Sequence, residues 1–277
     1  MGIIDSHIHF WKYDAARHSW INDEMAVIRR DFLPADAKPM FDRNQVEGCV
    51  AVQADQTDNE TNFLVDLARN NAFIKGVIGW VDFTSSEIEE KLQACSKEPL
   101  IKGFREIIQG SPDDRYFTNK KFQDGIRHLS GYGYTYDILI FHHQLPAAIR
   151  FSEKYPDQDF IVDHIAKPDI KSGDWKKWKN DMKTLAANPR MYCKLSGMVT
   201  EADWQRWSND QIRPYLEIAA EFFGTGRICF GSDWPVCLLA GKYEQVLSII
   251  TEFLSQVSDA EKEQVLSKNI STFYKLS

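Results

Sequence analysis

Short runs rich in β-branched and aromatic residues recur along the whole chain. Neighbouring runs are about 30 residues apart, which is the length of one strand, one crossover connection and one helix. Most runs are apolar on both faces, as the strands of a parallel sheet are when helices cover both sides. We therefore predict eight strands, in GIIDSHIHF, EGCVAVQA, IKGVIGWVDF, LIKGFREII, YTYDILIF, DFIVDHI, MYCKLSGM and RICFGSDW.

Segments with helical periodicity lie between these runs, at residues 60–71, 120–131, 144–155, 212–224 and 243–257. Ser258, with Glu261 three residues later, predicts the start of a last helix. Eight strand–helix alternations favour a (β/α)8 TIM barrel over an open doubly wound sheet, and no Gly-x-Gly-x-x-Gly follows any run. The sequence thus predicts an α/β fold in which residues 1–277 form a single barrel domain.

Residues 11–45 interrupt this rhythm with a long, aromatic and charged connection before the second strand. Long loops in compact domains are usually either functional or disordered. The aromatic residues of this segment indicate packing, so we expect a long first βα loop that covers the active site. Two of them, Trp11 and Tyr13, suit stacking against the face of a sugar ring.

Composition excludes several classes of partner. The net charge of −7 at pH 7 offers no basic surface to a polyanion, so we expect no nucleic-acid partner. We find no apolar stretch of about 18 residues and no leader with a basic start, and we expect neither membrane binding nor secretion. The five cysteines form no Cys-x-x-Cys pair, as expected for reduced thiols in the cytoplasm. The sequence leaves monomer and homodimer open.

Two histidines two positions apart, His7 and His9, lie near the end of the first predicted strand. Alternate residues of a strand share a face, and TIM-barrel active sites lie at the carboxyl ends of the strands. The segment GSDWP, residues 231–235, ends the eighth strand and carries Asp233. Because the first and last strands of a closed barrel are neighbours, we expect Asp233 beside His7 and His9. The two histidines then either hold a metal ion with Asp233 or contact the substrate directly.

Further polar residues fall at other predicted strand ends. His164 ends the sixth strand, Arg105 and Glu106 end the fourth on opposite faces, and His142 follows the fifth. A lone buried histidine is more often a packed core residue, yet five of the seven histidines lie at strand ends. We predict His142 as a substrate-binding residue, and either His142 or His164 as a fourth metal ligand. Glu106 could serve as a ligand if its face turns inward.

Taken in order, these motifs resemble the amidohydrolase superfamily, and within it the lactonase group of the amidohydrolase-2 family. The resemblance covers nearly the whole chain and rests on IIDSHIHFW, VAVQA, ETNFLVDLAR, GVIGWVDF, IKGFRE, YDI, HQLPAAI, DHIAKP, CKLSGM and FGSDWPVC. Each motif is weak alone, but the ordered set is specific. One position departs from the family pattern, because Glu106 stands where many members have histidine.

The resemblance implies a hydrolytic barrel in which Asp233 activates water. It also implies that His164 and Arg105, together with His7 and His9, hold a lactone and polarise its carbonyl group. In much of the superfamily the first-strand histidines and Asp233 would bind a divalent metal, whereas the lactonase group works without a required metal. Cofactor use therefore stays open between no required cofactor and one divalent metal, for which Zn²⁺ is favoured.

We predict a lactonase that opens an L-fucono-, L-rhamnono- or galactonolactone. A dicarboxylate substrate would call for several arginines at strand ends, and only Arg105 can be assigned there. Two alternatives remain, a zinc-dependent decarboxylase or other metal-dependent hydrolase of the same family, and a non-catalytic binding barrel. For Lys194, Ser196, Trp80 and Trp234, the sequence does not distinguish substrate contact from packing.

Overall fold

The computed structural model describes residues 2–111 and 115–276. Eight strands form one sheet whose spatial order is the order along the chain, and all seven neighbouring pairs from β1 to β8 are parallel. The strands are β1 Ile3–Ile8, β2 Val46–Val52, β3 Ile74–Gly79, β4 Ile101–Ile107, β5 Thr135–Leu139, β6 Phe160–Val162, β7 Met191–Leu195 and β8 Ile228–Phe230. The predicted (β/α)8 barrel is confirmed.

Helices connect the strands. The α-helices in the described residues are α1 Pro34–Arg43, α2 Asp58–Asn70, α3 Ile88–Cys95, α4 Arg115–Thr118, α5 Lys120–Ile126, α6 Leu129–Tyr132, α7 Leu145–Ser152, α8 Lys176–Ala186, α9 Asn209–Phe223, α10 Tyr243–Phe253, α11 Asp259–Glu263 and α12 Asn269–Phe273. Short 3-10 helices cover Asp23–Ile28, His142–Gln144, Val236–Leu239 and Leu254–Gln256, and a π-helix covers Gln264–Lys268. In this described part of the chain, no helix is both long and apolar enough to cross a bilayer.

The carboxyl ends of β1 and β8 are joined by hydrogen bonds. The backbone N–H of Asp233 donates to the carbonyl of His7 at 2.9 Å, and that of His9 donates to Trp234 at 2.7 Å. The backbone N–H of Ser232 also donates to the Asp5 carboxylate at 2.9 Å. These bonds close the barrel at the end where the histidine pair emerges, so Asp233 is held beside it.

The long first connection contains more regular structure than its sequence indicates. Residues 11–45 include the 3-10 helix Asp23–Ile28 and helix α1, which Pro34 begins. Trp11 and Phe32 exchange two backbone hydrogen bonds of 2.9 Å, which tie the two ends of the irregular part together. Helix α1 is therefore the first helix of the outer ring, and the irregular loop before it is shorter than predicted.

The last helix closes the opposite end of the barrel. Side chains of Ile270, Phe273 and Tyr274 pack in one buried cluster with residues inside the barrel, among them Val50 and Cys229. Lys102, near the start of β4, donates to the carbonyl of Lys275 at 3.3 Å. This packing shields the amino-terminal end of the barrel from water, so the polar residues inside face solvent only at the carboxyl end.

Candidate active site

Three imidazole rings surround one carboxylate oxygen at the carboxyl end of the barrel. The Oδ1 atom of Asp233 lies 3.3 Å from His9 Nε2, 3.9 Å from His7 Nε2 and 4.0 Å from His164 Nε2. All four side chains are buried, with exposed fractions of at most 6%. The residues come from β1, from the end of β6 and from the end of β8, so the closed sheet brings them together.

The protonation of this group follows from burial and from its hydrogen bonds. Burial holds the pKa of His7 and of His164 well below the ordinary histidine value, so both rings are neutral at pH 7. Burial alone would raise the pKa of Asp233, but its interactions with His164 and His9 outweigh burial and lower that pKa. Asp233 is therefore an ionised carboxylate next to His7 and His164, which is the state a general base requires.

The orientation of His9 creates a site for a cation. Its Nδ1 lies 2.8 Å from the carbonyl oxygen of Val52, which can only accept, so Nδ1 donates there. In neutral His9 the lone pair of Nε2 then points at Asp233 Oδ1 and lies 3.2 Å from His7 Nε2. Acceptors this close need a proton or a metal ion among them.

A divalent metal fits the chemistry of this donor set. Within the described residues, one ligand atom each from His7, His164 and Asp233 lie within 4.8 Å of one another, and His9 adds a third imidazole. Three imidazole nitrogens and one carboxylate oxygen are a typical set for Zn²⁺. Of the two fourth ligands considered from the sequence, His142 and His164, it is His164 that lies with His7 and Asp233 at metal-ligand spacing.

Arg105 lies beneath the imidazole group. Its Nη1 donates to Asp163 at 2.9 Å and lies 3.1 Å from His7 Nε2. Its Nη2 donates to the side-chain oxygen of Gln53 at 3.0 Å and to the backbone carbonyl of Gln53 at 2.5 Å. The guanidinium is 3% exposed and is held in one position by these four contacts. It therefore supplies a fixed positive charge next to His7.

A buried ion cluster lies on the other side of His7. The ammonium of Lys194 contacts Asp137 at 2.5 Å, Asp163 at 3.0 Å and His7 Nδ1 at 3.2 Å. Burial would lower the pKa of Lys194, but the two carboxylates outweigh burial and raise it. The hydroxyl of Tyr274 donates to Asp137 at 2.7 Å. The sequence did not distinguish substrate contact from packing for Lys194. These contacts show that its ammonium lies in the ion cluster beneath the site.

His164 begins an unusual backbone turn. The φ angles of His164, Ile165, Ala166 and Lys167 are 55°, 48°, 58° and 47°, so four consecutive non-glycine residues are left-handed. A left-handed conformation costs an L-residue roughly 1–2 kcal/mol. Asp233 is also left-handed, with φ of 59°. Two of the residues that surround the site thus have strained backbones, which is a common property of functional sites.

Ser196 and Gly197, at the end of β7, form the wall behind the His164 ring. The Ser196 hydroxyl lies 2.8 Å from His164 Nδ1, which gives Ser196 a contact with a site residue. Gly197 has φ of +65°, and a Cβ atom added there would lie 2.6 Å from His164 Nδ1. Only glycine leaves room for the ring at this position.

We expect Gly197→Ala to destabilise the protein by about 1 kcal/mol or more and to reduce turnover. The methyl group would force a strained φ angle on residue 197 and displace the His164 ring. Gly226→Ala is the matched control, because a Cβ atom at Gly226 meets no atom within 4 Å. Urea unfolding and initial rates of the two variants would be compared. Equal behaviour would show that the space beside His164 is not needed.

Two residues predicted to bind substrate make internal contacts. The indole N–H of Trp11 donates to the carbonyl of Arg30 at 2.8 Å, and the ring is 1% exposed with its centre 6.4 Å from that of His9. His142 Nδ1 donates to the carbonyl of Lys167 at 2.9 Å. Trp11 thus holds the first loop over His9, and His142 binds the left-handed turn. Substrate contact by either residue stays a prediction.

Glu106 points away from the imidazole group. Its carboxylate accepts hydrogen bonds from the indole of Trp80 at 3.0 Å and from the amide of Gln56. Burial raises its pKa to about 7. The group of described residues with metal-ligand spacing does not include Glu106. Trp80 is accordingly a hydrogen-bond donor in this cluster, whereas Trp234 is 4% exposed and packs edge-on against Phe32.

Sequence reasoning missed Asp137, Asp163 and Gln53, which hold Lys194 and Arg105. A signal was present, because Asp137 and Lys194 interrupt otherwise apolar strands in TYDIL and MYCKL. Charged residues are rarely fully buried unless they are paired. An acidic residue and a lysine inside apolar strands therefore indicate an internal ion cluster, although not its position below His7.

Comparison with known proteins assigns this architecture to a family. The sequence model of the amidohydrolase family matches residues 4–276. The chain belongs to the amidohydrolase family. The resemblance found in the sequence motifs is thereby confirmed.

Several known proteins are similar to this chain over most of its length. This amidohydrolase is 37% identical to an L-fucono-1,5-lactonase of Burkholderia multivorans over 284 residues, which cover 99% of this chain and 96% of the relative. It is 34% identical to an L-fucono-1,5-lactonase of Burkholderia ambifaria over 240 residues, which cover 87% and 82%. A crystal structure of an amidohydrolase from Burkholderia multivorans with bound zinc matches the amidohydrolase with a TM-score of 0.97, 35% identity and full coverage of both chains.

Proposed function

We propose that this amidohydrolase hydrolyses the lactone of a sugar acid, and that the substrate is of the L-fucono-1,5-lactone type. One observation carries the proposal: the Asp233 carboxylate oxygen lies 3.3 to 4.0 Å from three imidazole nitrogens at the mouth of the barrel. The two similar L-fucono-1,5-lactonases support the choice of substrate.

In the proposed reaction, Asp233 takes a proton from water while the water oxygen attacks the lactone carbonyl carbon. The bond between that carbon and the ring oxygen then breaks, and Asp233 returns the proton to the ring oxygen. The product is an open-chain hydroxy acid. Proton transfer by a positioned carboxylate accounts for about 10²–10⁴-fold of the rate of such reactions.

The charge that develops on the carbonyl oxygen needs donors. His164 lies at the mouth of the barrel near Asp233, and in the proposal its ring orients the lactone carbonyl. Arg105 acts through its fixed charge 3.1 Å from His7 Nε2. Preorganised positive charge in a buried site stabilises an oxyanion more strongly than the same charge in water. His7 and His9 complete the polar wall against which the lactone binds.

A divalent metal would be held by His7, His9, His164 and Asp233. Such an ion would supply a Lewis acid that polarises the carbonyl and lowers the pKa of a bound water. The hydrolytic steps proposed above for Asp233 do not depend on it.

The charge of the site favours a neutral polyol lactone over a dicarboxylate. Of the described arginines, Arg105 alone contacts the imidazole group, and both of its Nη atoms are already bound to Asp163, Gln53 and His7. Free, bidentate arginines are the usual partners of carboxylate groups on a substrate. Hydroxyl groups can instead be bound by the neutral imidazoles and by backbone groups.

The decisive test is hydrolysis of a panel of aldonolactones, followed by acid release with a pH indicator. We expect turnover of L-fucono-1,5-lactone, with metal content measured before and after exhaustive chelation. Activity that survives metal removal would identify a metal-independent lactonase. Activity lost on chelation and restored by zinc would assign the four candidate ligands to a metal. No turnover of any lactone would contradict the proposed function.

A further inference from the structure

The left-handed turn 164–167 has no local reason to form. None of its four residues is glycine, asparagine or aspartate, the residues that adopt left-handed conformations most readily. Ile165 is β-branched, and for such residues a positive φ angle is a clear outlier. The conformation must therefore be imposed by contacts from other parts of the chain.

Two hydrogen bonds from outside the turn hold its carbonyl groups. The indole N–H of Trp178, in α8, donates to the carbonyl of Ile165 at 2.7 Å. The Nδ1 atom of His142, which follows β5, donates to the carbonyl of Lys167 at 2.9 Å. Trp178 is 1% exposed and Ile165 is fully buried, so no water is available to replace the indole.

We propose that Trp178 and His142 are positioning residues of the active site. By binding the carbonyls of Ile165 and Lys167, they keep the turn left-handed and so direct His164 towards Asp233. The proposal rests on the proposed function, because it assigns the two residues an effect on lactone turnover. It gives His142 a role that differs from the substrate contact predicted from its sequence position.

The surroundings of His164 explain why the turn must be held accurately. The ring lies between Ser196, whose hydroxyl is 2.8 Å from Nδ1, and the space left by the missing side chain of Gly197. If the turn relaxed to right-handed angles, the Cα–Cβ bond of His164 would change direction and the ring would leave this space. A misplacement of about 1 Å in a catalytic group can reduce turnover about 100-fold.

The strain of the turn can be tested without any substrate. Ala166 is buried and has φ of 58°, whereas Ala219 is buried in the interior of helix α9. Glycine relieves strain at a positive φ angle but weakens a helix. We expect Ala166→Gly to keep or raise the midpoint of urea unfolding and Ala219→Gly to lower it. If both variants lowered the midpoint of urea unfolding equally, the conclusion that the turn is strained would be wrong.

The positioning role needs kinetic variants with matched controls. Trp178→Phe keeps the ring packing and removes the N–H, and Trp175→Phe makes the same change at an exposed indole nearby. His142→Ala is paired with His143→Ala. We expect kcat to fall on the order of 10- to 100-fold for Trp178→Phe and His142→Ala, with KM changed much less. The two controls should retain the wild-type kcat.

A combined variant separates positioning from general loss of stability. Ala166→Gly in the Trp178→Phe protein should raise kcat above that of Trp178→Phe alone, because glycine adopts the left-handed angle without the tether. A further fall in kcat, or equal kcat for Trp178→Phe and Trp175→Phe, would overturn the proposal. If the wild-type protein hydrolyses no lactone, the proposed function fails, and the unfolding comparison still decides whether the turn is strained.

Discussion

Replacing Asp233 by asparagine is expected to lower kcat/KM by about 10²–10⁴-fold with the fold intact. The amide has the size of the carboxylate but cannot accept a proton from water. Initial rates with L-fucono-1,5-lactone measure the loss, and the midpoint of urea unfolding checks the fold.

Asp210→Asn is the matched control for this substitution, because Asp210 is exposed in the first turn of α9 and lies outside the site. It should keep the wild-type rate. A folded Asp233→Asn protein that turns over lactone at nearly the wild-type rate would remove Asp233 from the mechanism and leave the three imidazoles as the groups to examine.

Replacing Lys194 by methionine is expected to reduce the free energy of unfolding by about 3–5 kcal/mol. The substitution preserves most of the side-chain volume but leaves the carboxylates of Asp137 and Asp163 buried without their shared cation. Urea unfolding of the variant and the wild-type protein measures the difference. Lys120→Met serves as the control, because the Lys120–Asp124 pair is exposed and its loss should cost at most about 0.5 kcal/mol.

The pH dependence of the Lys194→Met protein gives an independent check. Burial raises the pKa of Asp137 to about 6 even with Lys194 present, and removing the cation should raise it further. When the pKa of a carboxyl group is higher in the folded than in the unfolded state, the free energy of unfolding falls as pH rises through that pKa. The stability loss should therefore be smaller at pH 5 than at pH 8. A stability loss of equal size at pH 5 and pH 8 would contradict the inference that the substitution leaves Asp137 as a buried carboxylate without a cation.

The barrel and the core of the site could be predicted because both depend on strand order. The spacing of the apolar runs indicates eight parallel strands, and closure of such a sheet makes the first and last strands neighbours. His7, His9 and Asp233 could be identified because they lie at the ends of those two strands. Their proximity therefore follows from topology, without knowledge of any side-chain packing.

The remaining features depend on contacts between distant residues. Nothing in the segment DHIAKP indicates a left-handed turn, since the bonds that hold it come from Trp178 and His142. The eightfold alternation predicts a helix between the sixth and seventh strands, but it does not indicate that Trp178 of α8 points towards this turn. Likewise, Lys194 could be recognised as a cation in an apolar strand, but its partners depend on which residues of β5 and of the segment directly after β6 point inward at the same depth. Strand periodicity alone does not specify that depth.

The hydroxyl of Tyr274, the residue directly after helix α12, supports a site at the far end of the barrel. It binds Asp137, which binds Lys194, which in turn contacts His7. A chain shortened by its final few residues would retain every group proposed to touch the lactone, yet it would lose this support and admit water beneath the ion cluster. Turnover should therefore depend on residues near the C-terminus that never touch the substrate.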